Sequence, residues 1–319
     1  MIMAVIELDH VTKTYKSRGR RTVANDDVSL HVDAGEVFGL FGHNGAGKTT
    51  IVNQLLGLLK PDSGSIVIDG KDITKNRNLG RYLCSVQPQS KTPLGELTPR
   101  AVTRVMGQMR GISADEVDRR TTELFERLDI MQWADVQGNK LSGGVLRLTG
   151  FCMAAVAPGR VVILDEPTND VDPVRRRFLW SAIRDLTKDG TAVVVVTHSI
   201  REAESAVDTM VILNEGKVIT QGDVHQIKSE TAGNRMKLEA VATAPEDRFV
   251  KPAWGESLKV ADAKLTLAFE RELAAEALKW AAEQRDGGLL AEYSLTEITL
   301  EDMYIELVGN KGAVEGVNR

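Results

Sequence analysis

A chain of 319 residues exceeds the usual size of one hydrophobic core, so a large domain with a smaller companion is the first expectation. Its 40 lysines and arginines are outnumbered by 45 aspartates and glutamates, a net charge of -5 that argues against a protein built mainly to neutralise nucleic-acid phosphates. The two cysteines, Cys84 and Cys152, lie in apolar stretches and read as buried thiols of a reducing compartment, not as a disulfide or metal site, and no aliphatic run nears the roughly 20 residues that span a bilayer.

A β-branched run at 5–8 comes first, and the opening MIMAVIELDH turns acidic too early for a secretory signal. VFGLF at 37–41 feeds a glycine-rich loop and then the apolar helix IVNQLLGLL; another strand follows at 66–68. Thr98 before Pro99 opens a helix that Gly111 closes, and Ser113 with Glu116 makes a capping-box pattern for the next, in which Val117, Leu124, Phe125 and Leu128 share a face. Residues 95–137 therefore read as a mostly helical insertion between αβ units. Aliphatic runs at 161–164, 193–197 and 210–213 predict strands, several too apolar to have a wet face. Helices begin between them at Asp172-Pro173, stopping near Gly190, and at Ser199 with Glu202, where Arg201, Glu202 and Glu204 read as a solvated face. After Gly222 the pattern changes: KLEAVATA and KLTLAF predict strands, 272–284 a helix and 299–308 a short capped helix, so a domain boundary is expected near residue 225.

Two motifs carry chemistry. GHNGAGKTT, residues 42–50, satisfies G-x-x-x-x-G-K-[ST] at Gly42, Gly47, Lys48 and Thr49, between a strand and a helix as that motif requires. Glycines there let successive N–H groups point at phosphate oxygens and the helix start adds partial positive charge, while Lys48 neutralises the β- and γ-phosphates and the Thr49 hydroxyl ligates Mg²⁺. VVILDEP, residues 161–167, ends a strand in two adjacent carboxylates. Successive strand side chains face opposite ways, so Asp165 and Glu166 can divide the work, one on the metal and one toward the γ-phosphate as general base, a role worth about 10²–10⁴ in rate. A second glycine turn, LSGG at 141–144, also runs into an apolar helix.

In the order and spacing of these motifs the chain resembles, over roughly residues 4–225, the nucleotide-binding subunits of ABC transporters. The resemblance implies an α/β fold: a P-loop NTPase core with a mixed sheet, an antiparallel β subdomain and a helical subdomain at about 95–157, followed by a small α+β accessory or regulatory domain over 226–319. It assigns Gly42, Asn44, Gly45, Ala46, Gly47, Lys48, Thr49 and Thr50 to the ATP phosphates and Tyr15 to the adenine. It gives Thr49, Gln89 and Asp165 to Mg²⁺, with Gln87 as the alternative to Gln89, and Glu166, His198 and Lys48 to catalysis. Asp172 falls in the D-loop. Taken singly, Tyr15 also fits an ordinary strand-end aromatic and His198 a polar cap on a buried strand. Ser142, Gly143 and Gly144 form the family signature, which closes over ATP held by a second subunit. The resemblance thus implies a head-to-tail dimer, homo- or heteromeric, on the cytoplasmic face of the cell membrane, attached through a separate permease, with no span of its own and no nucleic-acid partner.

One position departs from the family: the signature usually continues with glutamine, and here Val145 and Leu146 precede Arg147. A lost hydrogen bond to a charged group costs on the order of 1.5–3 kcal/mol, so weaker dimer closure with intact chemistry is expected. The tail SLTEITLEDMYIELVG resembles the closing motif of type-2 exporter subunits, while an ordinary amphipathic helix with Leu300, Met303, Tyr304 and Leu307 inward is the alternative. An importer subunit, or a nucleotide-gated clamp with little hydrolysis of its own, stays open beside the exporter reading. Heptad insertions and a second motif set, which DNA-repair and ribosome-associated relatives carry, are absent from the sequence.

Overall fold

Aliphatic runs with no polar face must be covered on both sides, and they set the centre of the first of two units. In the computed structural model, which describes residues 4–17 and 19–306, the chain divides into two compact units between Val224 and His225. The first unit begins with β1 (Ala4–Ser17), β2 (Arg20–Asp33), β3 (Val37–Phe41), α1 (Lys48–Leu55), β4 (Ser63–Ile68), β5 (Lys71–Asp72), α2 (Asn78–Leu83) and β6 (Cys84–Gln87). It continues through α3 (Pro99–Met109), α4 (Ala114–Arg127), α5 (Gly143–Ala155), β7 (Val161–Asp165), α6 (Pro173–Leu186), β8 (Ala192–Thr197), α7 (Ile200–Ala203), β9 (Thr209–Asn214) and β10 (Lys217–Asp223).

Two sheets result. The order β10-β9-β3-β8-β7-β6 is parallel from β9 to β6, with β10 antiparallel at one edge. The order β2-β1-β4-β5 is antiparallel throughout. Every residue of β3, β7 and β8 is buried, as expected of parallel strands covered on both faces. Ile51 and Leu55 of α1 share one core with Phe38 and Leu40 of the parallel sheet and Ile6, Leu30 and Ile66 of the antiparallel one. Each such side chain contributes about 1.5–3 kcal/mol by leaving water. Register decides the rest: Phe41 lies beside Thr197, and Asp165 beside Val196, so the loops after β3, β7 and β8 leave the sheet at one edge. The carboxyl ends of parallel strands are where such sheets bind ligands.

Thr98, Ser113 and Asp172 cap their helices as the sequence predicts, whereas Ser199 makes no side-chain cap bond to α7. Thr98 accepts from the Ala101 N–H with Pro99 behind it, and Ser113 accepts from the Glu116 N–H. Glu116 does not complete the expected capping box, because Arg119 and Arg120 on its own helix hold its carboxylate and keep it down at about 2. Gly107 permits α3 to approach α4, since a Cβ there would lie 2.7 Å from Val117. The strand runs read from sequence are present, but β1 and β2 form a ribbon of two 14-residue strands, of which only 5–8 was foreseen. Strands β2, β5, β6 and β10 of this unit were not foreseen.

The second unit holds β11 (Arg235–Ala242), β12 (Ser257–Ala261), β13 (Lys264–Glu270), α9 (Ala274–Asp286) and β14 (Leu290–Glu297), after α8 (Val224–Ala232), which starts at the division. Its sheet, β12-β13-β11-β14, is antiparallel. Ala277 and Ala281 of α9 pack with Leu238, Leu267 and Phe269, and Trp254 meets Phe269 edge-on at 5.9 Å. Lys237, on the other face of β11, is buried to 3% side-chain exposure and pairs with Asp302 at 2.7 Å and Glu239 at 2.8 Å. Asp302 belongs to a helix over 300–306, where Thr299 and Asp302 cap each other. Leu300 and Met303 are buried there as the amphipathic pattern requires; Leu307 and the end of the closing motif lie outside the described residues.

Candidate active site

The loop between β3 and α1 owes its shape to glycines. Gly42, Gly45 and Gly47 have φ of 152°, 89° and 105°, a region other residues rarely enter. Space forbids a side chain at two of them: a Cβ on Gly42 would lie 2.5 Å from the Leu213 carbonyl and one on Gly47 2.3 Å from the Ala24 carbonyl. Gly47→Ala is therefore expected to cost about 1–3 kcal/mol of stability and to weaken nucleotide binding more than Gly45→Ala, where the space is open; paired melting and nucleotide titrations would show it. Ala46 is buried, Asn44 and Thr49 are exposed, and Thr50 is buried. Lys48 turns back along the loop, donating to the carbonyls of Gly42 at 2.5 Å and His43 at 3.0 Å. Burial holds its ammonium below the usual lysine range, against the attraction of Glu166 and Asp165.

Those two carboxylates end β7 on the same edge. Asp165 is 9% exposed, and burial together with the neighbouring Glu166 pushes its carboxyl up to about 6, with Lys48 and Arg147 pulling it back. Glu166 is 3% exposed and turns into the left-handed region at φ 50°, its N–H donating to the Val196 carbonyl at 2.8 Å. One carboxylate oxygen accepts from Thr197 Oγ1 at 2.8 Å, the other from the His198 N–H at 3.0 Å and meets His198 Nδ1 at 2.5 Å. The imidazole itself is half exposed. Lys48, Asp165, Glu166 and His198 thus come together.

Tyr15 is 42% exposed on β1. It stands two residues, about 7 Å of strand, beyond Lys13, the partner of Asn25, whose amide donates to the Gly47 carbonyl at 3.3 Å. Gln87 ends β6 and is buried, its amide donating to the Arg147 carbonyl at 2.8 Å, whereas Gln89 is exposed in the loop that follows. Of the two glutamines, Gln89 has the accessible side chain.

The signature turn starts α5. Ser142 Oγ accepts from the Val145 N–H at 3.3 Å and caps the helix. Val145 is 5% exposed, so its side chain packs inside the first unit. Arg147, which the sequence reading passed over, is likewise buried and donates to the carbonyls of Pro88 at 3.0 Å and Gln89 at 2.7 Å, tying α5 to the loop after β6. Asp172 serves as the N-cap of α6, accepting from the N–H groups of Val174 and Arg175, a structural duty that Asp-Pro at a helix start signals. Glu202 is no solvated-face residue: it pairs with Arg176 at 2.7 Å and accepts from Thr168 Oγ1 at 2.9 Å.

Strand, glycine loop and helix, with a buried acidic pair at the end of β7, define a nucleotide-binding protein of the P-loop class. Residues 25–169 match the family model described as ABC transporter. The chain is 36% identical over 219 residues to the Nod factor export ATP-binding protein I of Paraburkholderia xenovorans, spanning 69% of this chain and 71% of that one. It is 28% identical over 313 residues to ABC transporter A family member 5 of Arabidopsis thaliana, covering 95% of this chain but only 33% of the longer protein. A dimeric ATP-binding cassette in a post-hydrolysis state, bound to ADP and Pi, superposes with a TM-score of 0.63 at 25% identity over 69% of this chain and 98% of that one. The chain belongs to the ABC transporter family, as an ATP-binding, ATP-hydrolysing subunit. No described helix is long and apolar enough to cross a membrane.

Proposed function

We propose that this subunit works as a dimer on the cytoplasmic face of the membrane, where it energises a separate permease that exports its cargo. The observation that carries the hydrolytic part is Glu166, a buried carboxylate held by Thr197 and His198 at the edge where Lys48 emerges. Residues 4–224 are the ATPase domain in this reading and the second unit is accessory or regulatory.

Tyr15 stacks on adenine, and the N–H groups of the loop from Gly42 to Thr50 hold the phosphates, with Lys48 leaving the loop carbonyls for the β- and γ-phosphates. Glu166 orients or deprotonates the attacking water, and His198 steadies the γ-phosphate. Thr49, Asp165 and Gln89 are the residues that would hold Mg²⁺. Their donors are all oxygen, and the Asp165 carboxylate makes no hydrogen bond among the described residues, which fits a hard cation completed by phosphates and water. Bound there, the ion supplies charge neutralisation for the β- and γ-phosphates. Ser142 and the N–H groups of Gly143 and Gly144 cover the partner's γ-phosphate, and Asp172 shapes the D-loop between them by capping α6.

Support for a permease comes from a groove of about 780 Å³ between α2, α3 and the end of α5, where Leu58, Tyr82, Met109 and Met153 line it together with Arg81, Arg110, Arg120 and Arg160. Tyr82 and Met109 are each 76% exposed, an unusual presentation for large apolar side chains that suits the insertion of a short helix from the membrane subunit. The closing motif of the tail and the export role named for the Paraburkholderia relative support the direction. In inverted membrane vesicles carrying the co-purified permease, ATP is expected to drive cargo inward. Tyr82→Asp with Met109→Asp should abolish binding to those vesicles while leaving the ATPase rate of the free subunit within about twofold, as surface substitutions do. Retained vesicle binding by the double variant would remove the groove from the proposal, and uptake only by right-side-out vesicles would make the transporter an importer.

A further inference from the structure

Lys91 and Asp170 sit on different loops, the first two residues beyond Gln89 and the second between Glu166 and Asp172. They meet at 2.9 Å with 42% and 52% of their side chains exposed. The pair lies against the first residue of α5: a Cβ on Gly143 would be 2.4 Å from Lys91 Nζ and 3.5 Å from Asp170 Oδ2. At Gly144 a Cβ would be 2.5 Å from the Asp170 carbonyl. Neither signature glycine has a positive φ; at Gly144 the Asp170 backbone leaves no room for a side chain, whereas at Gly143 the crowded atom is the movable end of Lys91 itself. The other nearby cation, Arg147, is buried with its guanidinium committed to the Pro88 and Gln89 carbonyls.

We propose that Lys91 is a phosphate-binding residue of the signature surface, held in reserve by Asp170 until ATP on the second subunit arrives. The inference rests on the reading that Ser142, Gly143 and Gly144 close over the partner's γ-phosphate. As closure brings that phosphate to the start of α5, it meets a carboxylate and an ammonium side by side. A half-exposed ion pair is a weak one, so exchanging partners costs little. The γ-phosphate offers three acceptor oxygens and more charge than one carboxylate, and it takes the ammonium in a charge-assisted contact. Asp170 is then a competitor: it lowers the cost of Lys91 standing beside an empty helix start and opposes closure until phosphate replaces it. The arrangement makes closure sensitive to the γ-phosphate in particular, because ADP has no group that reaches this turn.

The two members of the pair therefore have opposite expected effects. Sedimentation velocity of the full chain with the β,γ-imido analogue of ATP would read the association constant, and ADP titration would confirm that each variant is folded. Lys91→Gln should weaken analogue-dependent association about three- to tenfold. Asp170→Asn should strengthen it by a similar factor, and asparagine suits the φ of 64° at that position. The double variant should behave as Lys91→Gln, and with ADP all four proteins should be alike. Equal association of Lys91→Gln and wild type, or weakening by Asp170→Asn, overturns the role of Lys91 alone. If wild type binds the analogue yet associates neither with itself nor with a co-purifying second cassette, the signature reading fails and takes this inference with it.

Discussion

Glu166→Gln is expected to leave a protein that binds ATP as wild type does and hydrolyses it at least about 100-fold more slowly. A positioned general base contributes about 10²–10⁴, and the amide has no basic lone pair for the water proton. The substitution is nearly isosteric, which matters at a site 3% exposed and turned to φ 50°. Its carbonyl oxygen can still accept from the His198 N–H, and Thr197 Oγ1 can reverse its role to accept from the new amide. Lys48 and the loop glycines are untouched, so nucleotide affinity is expected within about threefold of wild type; larger losses come from named defects that this change does not create. Steady-state phosphate release with an equilibrium nucleotide titration separates the two properties. A Gln variant that turns over within a few-fold of wild type would assign the base elsewhere and leave Glu166 as a structural partner of His198. The nucleotide-gated clamp predicts that outcome from the start, with wild type already slow.

Asp302→Ala is expected to destabilise the second unit by about 3–5 kcal/mol. Two losses combine. Lys237 is buried, and although burial alone would lower its ammonium, the hydrogen bonds from Asp302 and Glu239 outweigh it and hold the group above the usual lysine range. Among the described residues, removing Asp302 leaves only Glu239 for that charge, and Glu239 is already shared with Lys264 at 2.9 Å. The second loss is the cap that Asp302 and Thr299 make for the helix over 300–306, worth about 1 kcal/mol. Hydrogen exchange at β11 and β14 is the local measurement: protection should fall in the variant. Lys237→Met combined with Asp302→Leu should restore much of it, since a buried ion pair replaced whole by apolar residues is often neutral or better. Unchanged exchange in Asp302→Ala would mean that the pair is solvated in solution. The acidic residue of the closing motif thus has a physical task, whatever cargo the transporter moves.

What could be read in advance follows from how local each feature is. The phosphate loop was legible because its chemistry is confined to nine consecutive residues between a strand and a helix. Strands β3, β7 and β8 announced themselves as aliphatic runs, since burial on both faces leaves no polar alternation. Strand β2, RRTVANDDVSLHVD, hides behind its charges, although Val28, Leu30 and Val32 alternate inward as a half-wet strand should. Strand β6 is four residues long and gives no period to detect. Contacts between distant segments were illegible: Arg147 reaches a carbonyl 58 residues away, and its own neighbours in sequence give no hint of it. Lys237 was not singled out, for another reason. Alternation in KLEAVATA correctly puts it opposite Leu238, but a strand pattern cannot say that the second face is covered too. Glu202 was misjudged for the same reason, because the partners that remove it from solvent, Arg176 and Thr168, come from α6 and the turn before it.

The Arg147 clasp has a bearing on portability. Its guanidinium grips the carbonyls of Pro88 and Gln89, and its own carbonyl receives the Gln87 amide, so the last residue of β6, the two loop residues after it and one residue of α5 are closed into a ring of mutual bonds. A signature turn transplanted from a relative would arrive without its counterpart unless residues 87–89 travelled with it. Chimaeras cut between 90 and 140 should therefore perform worse than those that exchange the two segments together, and the unit that can be swapped between cassettes is a discontinuous one.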